Sequence, residues 1–197
     1  VLVLAVVGSS AGCSLLDRRE RVAVVGDSIS FQVTDELEAA LDDRYRVRIE
    51  AVPGITIGGQ LETAAEVGGE TPRQVIVNLG TNDASLVGAP TQDSVNALSA
   101  MLDSFAGVTC VHLTTVYEGL PPATDHDPAA LAAALNADIR RIADEQDYDV
   151  IDWNAIVVDN GGAEEVLVDR VHPTELGESL LVDAYADALR RCPESTS

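Results

Sequence analysis

Four apolar residues, Val22 to Val25, run into Gly26-Asp27-Ser28 and then into a helix-like stretch. A serine at such a strand-to-helix turn stands at the exposed end of a buried strand. Free backbone N–H groups and the positive end of the helix lie beside it. That setting suits a nucleophile whose attack on a carbonyl creates an oxyanion. Other residues of chemical interest are Gly54 in VPGIT, Asn82 in GTND, and Asp169 and His172 in DRVHP. Each also has an ordinary reading when taken alone. Ser28 could cap a helix, Asn82 and Asp83 could make a turn, and Gly54 after Pro53 is a turn glycine. Asp27 reads as a local hydrogen-bonding residue at its turn, His112 as a packed strand histidine, and His126 as part of a solvated cluster with Asp125 and Asp127.

The elements that must position these residues follow from the apolar pattern. Five short apolar runs, 21–26, 46–52, 74–80, 108–116 and 148–153, alternate with helical stretches, as in βαβ units around a parallel sheet. Leu37 and Leu41 lie four apart on one face of a helix, and Val95, Leu98, Leu102 and Phe105 on another. Asp127 and Pro128 open a long helix as N-cap and first-turn proline, and a final helix starts after His172-Pro173, with Leu180, Leu181, Ala184, Tyr185 and Leu189 as its core stripe. Two longer stretches, 117–126 and 154–170, read as irregular loops that follow strands and contact substrate. In an all-parallel sheet such loops gather at the carboxyl edge, where open α/β folds keep their sites. Ser28, Gly54, Asn82 and the Asp169/His172 pair therefore converge on one surface.

With that order and spacing, GDS at 26–28, Gly54, GTND at 80–83 and DRVHP at 169–173 resemble the four blocks of the SGNH/GDSL hydrolase family, with Ile29 where the family's name has Leu. The resemblance implies a three-layer α/β/α sandwich around a five-stranded parallel sheet, flavodoxin-like, over residues 21–197. It implies Ser28 as nucleophile, His172 as general base and Asp169 as the residue that orients it. The backbone N–H groups of Ser28 and Gly54 and the side-chain amide of Asn82 would form the oxyanion hole. The physics suits each role: glycine allows close backbone approach, and an asparagine polarises a carbonyl without forming an ion pair. The expected activity is a serine esterase working through an acyl-enzyme, on a small-molecule or glycan ester. A small acyl group such as acetyl is expected, because no long apolar lid segment is present. The same site could pass the acyl group to an envelope polysaccharide. A non-catalytic binding module would lack a triad member or oxyanion donor, and none is missing.

Composition bounds the alternatives. The 197 residues fit one domain, 46% hydrophobic, with two Phe and one Trp, so the core must be Val, Leu, Ile and Ala. So few aromatics argue against a stacked carbohydrate platform, although Trp153 and Tyr117 could each line a pocket. All 12 basic residues are Arg, and against 33 acids they leave a net charge of −21, which disfavours nucleic acid and anionic lipid as partners. Three histidines, with none in the first two blocks, are too few for a metallophosphoesterase, and neither metal nor other cofactor is expected. Residues 1–20 read as a signal segment and linker, since VLVLAVVGSSAGCS resembles the tail of a bacterial lipoprotein signal, with Cys13 as the lipidation site and membrane anchor. An exported, monomeric, extracytoplasmic protein is the expectation. Cys110 near the start of the fourth strand and Cys192 at the end of the last helix both fall at the edge opposite the site, and are expected to pair.

Overall fold

The computed structural model describes residues 19–89 and 91–193; Cys13 and the rest of the signal-like segment lie outside the described residues. Five parallel strands, β1 (Glu20–Gly26), β2 (Tyr45–Ala51), β3 (Gln74–Asn78), β4 (Cys110–Thr114) and β5 (Asp149–Ile151), stand in the order β2-β1-β3-β4-β5. Helices cover both faces, which is why the central strands β1 and β3 read as near-continuous apolar runs, whereas the edge strand β2 alternates with Arg and Glu. Along β1, Ala23 and Val25 face one layer while Val22 and Val24 face the other. The first layer is packed by α3 (Leu61–Gly69), α4 (Thr91–Asp103) and α5 (Pro128–Gln146), through Ala64, Val67, Leu98, Leu135 and Ile139. The second is packed by α1 (Ser28–Gln32), α2 (Thr34–Leu41), α6 (Trp153–Asp159), α7 (Ala163–Val166) and α8 (Glu175–Arg191), through Leu37, Val157, Val166, Leu181 and Leu189.

Several expectations need correction. The strands of β3, β4 and β5 stop two residues short of their apolar runs, because Leu79-Gly80, Thr115-Val116 and Asp152-Trp153 already belong to the carboxyl-edge connections. Stretch 154–170 is mostly not a loop. Asp152 accepts the Ala155 N–H and caps α6, and α7 follows after Gly161 and Gly162, both with positive φ. Trp153 is therefore the first residue of α6, 1% exposed in the core, and lines no pocket; Tyr117 packs partly buried against the same core layer. Helix α3 carries no clear sequence signal, since Gly68 and Gly69 close a stretch only nine residues long. At Gly68 a side chain would run into the Ser104 backbone, so the glycine allows α3 to lie against the turn after α4.

Two features hold the layers together away from the carboxyl edge. Helix α8 runs back across the sheet from its Thr174 cap, and Cys192 at its end is joined by a disulfide to Cys110 at the start of β4, closing an 82-residue separation. Beside it His112, 1% exposed, is held between Asp149 and Gln74, so this histidine is structural, as its place in a strand suggested. Among the described residues no helix is long and apolar enough to cross a membrane.

Candidate active site

The order β2-β1-β3 means that the chain leaves β1 toward one side and returns as β3 on the other. The crevice between the carboxyl ends of β1 and β3 is thus a topological switch point. Ser28 opens there as the first residue of α1, capped by Asp27, whose Oδ1 accepts the Ile29 N–H at 3.0 Å. Gly26 is required just before it, because a Cβ at that position would collide with the Ser30 side chain.

The Ser28 hydroxyl lies 3.0 Å from His172 Nε2, and His172 Nδ1 lies 2.8 Å from Asp169 Oδ2. Asp169 Oδ1 also accepts the backbone N–H groups of Val171 at 3.0 Å and His172 at 2.8 Å. One carboxylate therefore shapes the loop and holds the ring that the loop carries. Burial pushes the Asp169 carboxyl up, but hydrogen bonds from the His172 backbone, the His172 ring and the Val171 N–H, with the charge of His172, outweigh it and hold the group below the usual carboxylate range. The loop is closed at its base by Val168 N–H donating to His172 O at 2.8 Å and by a bridge between Leu167 and Pro173. Arg170, at its tip, is forced to a φ of 68°.

Opposite Ser28, His172 and Asp169, Gly54 turns the chain after β2 with a φ of 77°, a conformation that favours glycine, and no atom crowds the place a Cβ would take. Asn82 is 6% exposed, and its amide nitrogen donates to Ile55 O at 2.9 Å and to Asp27 Oδ2 at 3.3 Å. The neighbouring Asp83 accepts the Ile57 N–H at 3.0 Å and the Ser94 hydroxyl at 3.3 Å; burial raises its carboxyl pKa. The Gly54 turn is thus tied on its far side to the segment that carries Asn82. After Asn82 the chain makes a π-helical turn, Asp83–Val87, that throws Leu86 out over the cleft, 67% exposed.

These parts enclose a cleft of about 420 Å³ whose floor holds Ser28, Gly54, Asn82 and His172, with walls from Pro53, Ser85 and Leu86, from Pro121 to Ala123, and from Val171. Of the two stretches expected to contact substrate, 117–126 lines the cleft through Pro121, Pro122 and Ala123, whereas 154–170 reaches it only through Asp169. Asn136, fully buried in α5, sets the start of the first stretch by bonding both the N–H and C=O of Val116 at 2.7 Å. His126 bonds Asp125 at 2.8 Å and packs its ring against Gly88, outside the cleft lining. Among the described residues no cluster of three or more His, Cys, Asp or Glu has the arrangement to hold a metal ion. Ser85 and the π-turn lie in a stretch with no apolar periodicity to announce them, and Asp83, whose type alone suggests a turn, serves instead as acceptor for the Ile57 N–H and the Ser94 hydroxyl.

Among curated protein sequences none matches this chain. Solved structures do. A GDSL-like lipase from Bacteroides thetaiotaomicron superposes with a TM-score of 0.75 at 21% identity, covering 88% of this chain and 89% of that one. The catalytic domain of peptidoglycan O-acetyltransferase A from Streptococcus pneumoniae gives 0.69 at 22%, covering 88% and 94%. An acetylxylan esterase from Geobacillus stearothermophilus gives 0.69 at 19%, covering 86% and 94%. At these identities the likeness speaks for the fold, the expected three-layer sandwich. Residues 24–180, most of the chain and all of the site, match the GDSL-like lipase/acylhydrolase family, and the chain belongs to that family.

Proposed function

We propose that the protein is a serine ester hydrolase acting through an acyl-enzyme on Ser28. The observation that carries this reading is the continuous chain from Ser28 Oγ through His172 to Asp169, with bonds of 3.0 and 2.8 Å, at the floor of an open cleft. Ser28 Oγ attacks the ester carbonyl carbon while His172 Nε2 takes its proton, and Asp169 stabilises the imidazolium. The carbonyl oxygen becomes an oxyanion facing the N–H groups of Ser28, Gly54 and Asn82. Collapse of this intermediate breaks the bond to the alkoxy oxygen, which leaves as alcohol with the proton from His172. A water, deprotonated by the same ring, then releases the acid and restores Ser28.

Leu86 and the Pro121-Pro122 wall bound an open, shallow cleft rather than a closed apolar tunnel, which is the setting for a short acyl group such as acetyl. The acetylxylan esterase and the peptidoglycan O-acetyltransferase among the structural relatives agree with an acetyl ester of a glycan as substrate. Because the cleft is open to solvent, a sugar hydroxyl could replace water in the second step, which is the transferase alternative. The Cys110–Cys192 disulfide supports an oxidising, extracytoplasmic setting. The test is hydrolysis of p-nitrophenyl esters from acetate to palmitate by the protein and by Ser28→Ala. Turnover of the short esters that vanishes in the variant supports the reading. Equal rates for both proteins would refute it, and acyl transfer to an added oligosaccharide without hydrolysis would favour the alternative.

A further inference from the structure

Asp27 is wholly buried beside the nucleophile, and the acyl-enzyme chemistry makes no direct use of it. Capping α1 explains only half of the residue. A cap needs one acceptor oxygen, and Asn or Ser supplies that as well as Asp at the start of a helix. Burying a carboxyl is costly in addition, and here burial pushes the group up to about 7. The second oxygen must therefore be accounted for. Oδ2 faces the Asn82 amide nitrogen at 3.3 Å, while Oδ1 takes the Ile29 N–H at 3.0 Å.

Two donors thus converge on the two oxygens of one side chain, and only an ionised carboxylate offers a free acceptor to each. On its other side the Asn82 nitrogen meets Ile55 O at 2.9 Å. Flanked by two acceptors, the amide must present its nitrogen end to this corner, with its carbonyl oxygen turned away. Resting on the ester-hydrolase reading above, we propose that Asp27 is a positioning residue that fixes the polarity of the Asn82 amide, so that an N–H is available to the oxyanion. The bond to Asp27 is the longer of the two. The N–H on that side turns to the developing oxyanion while the bond to Ile55 O stays in place.

Side chains of nearly equal size behave differently at this position. In Asp27→Asn the Ile29 N–H claims the only oxygen, and the new NH₂ confronts the Asn82 NH₂, donor against donor. Asp27→Ser keeps a cap for α1 but leaves no acceptor for Asn82, and serves where the Asn variant folds poorly. Steady-state kinetics at about pH 8, where Asp27 is ionised, on a short p-nitrophenyl ester would compare the native protein, these two variants, Asn82→Ala, and each Asp27 change combined with Asn82→Ala. The proposal expects both Asp27 variants to lose at least tenfold in kcat with KM within about threefold, up to the roughly 100- to 1,000-fold loss typical of deleting one oxyanion donor. Once Asn82 is Ala, the Asp27 change should cost little more, because its route to the chemistry is gone. Native kcat in both Asp27 variants would overturn the proposal. So would losses that multiply in the double variants, since these point to a general structural effect. An inactive native protein would instead count against the esterase reading itself.

Discussion

Asp27 also gives the protein a stability profile that can be worked out in advance. Its carboxyl is displaced from 3.8 to about 7, first by burial and then by the nearby charge of Asp83, while the Ile29 N–H and His172 pull it partly back. The folded state therefore holds a proton that the unfolded chain has already released, so stability must fall as pH rises from about 4 to about 7 and level off beyond. At 1.36 kcal/mol per pKa unit the full drop is about 4 kcal/mol. Asp149, Asp152 and Asp169 are held below their ordinary range, so the stability they contribute is fully present above about pH 4 and is lost only as pH falls below it. They do not act in the same window. Asp83, also raised by burial, adds to the drop, and so does general repulsion in a chain of net charge −21. The slope that belongs to Asp27 must be isolated by difference. Urea unfolding of the native protein and of Asp27→Ser at about pH 4.5, 6 and 8 supplies it. The native protein should lose several kcal/mol more than the variant across this range. Parallel curves for the two proteins would refute the reasoning, whatever their absolute stabilities.

Further expectations follow from single contacts. Asn82→Ala should lower kcat by about 100- to 1,000-fold with little change in KM, read by steady-state kinetics on a short ester, because the lost N–H acts on the oxyanion. Leu86→Ala should shift the acyl-length profile toward longer chains, since the leucine stands over the cleft, and an unchanged profile would remove it from the acyl wall. Replacing Cys110 and Cys192 together with Ala should cost up to about 4.5 kcal/mol in urea unfolding, the chain-entropy value for a loop of this length, while esterase activity at 25 °C persists. Tyr185→Phe should cost about 1–3 kcal/mol by leaving the buried Asn78 amide without its acceptor, measured as a fall in the unfolding midpoint.

The fold was legible in the sequence because a parallel sheet covered on both faces writes its strands as apolar runs, and because Asp127-Pro128 marks a helix start unambiguously. The reading failed where the signal is not periodic. Trp153 looked like a pocket residue by its type, yet the cap at Asp152 places it in the first turn of α6 and buries it. Helix α3 was invisible behind two glycines, of which Gly68 is required by its packing against Ser104. At the site, residue types and the topology of the sheet were enough to bring Ser28, Gly54, Asn82, Asp169 and His172 to one edge. The supports between them were not legible, since Asn82 to Ile55 and Asp83 to Ile57 are tertiary bonds across 27 and 26 residues that no local pattern encodes.

Those supports explain how a site assembled from separate segments keeps its geometry. Ser28, Asn82 and His172 come from three parts of the chain, and a shift of about 1 Å in any one would cost much of the rate. Beneath them one buried hydroxyl joins all three parts: Tyr185 on α8 bonds Ser30, two residues after Ser28, at 3.0 Å, and accepts from Asn78 at the end of β3 at 2.7 Å. Tyr185 read in the sequence as one more residue of an apolar stripe, and its ring is indeed core, but its oxygen is the point where the helix that Ser28 opens, the strand leading to Asn82 and the helix following His172 meet. Asp27 and Asp83 do the same work one level higher, each with a carboxyl whose burial is costly. The site thus concentrates polar groups that an ordinary core would exclude, and each of them fixes one segment against another.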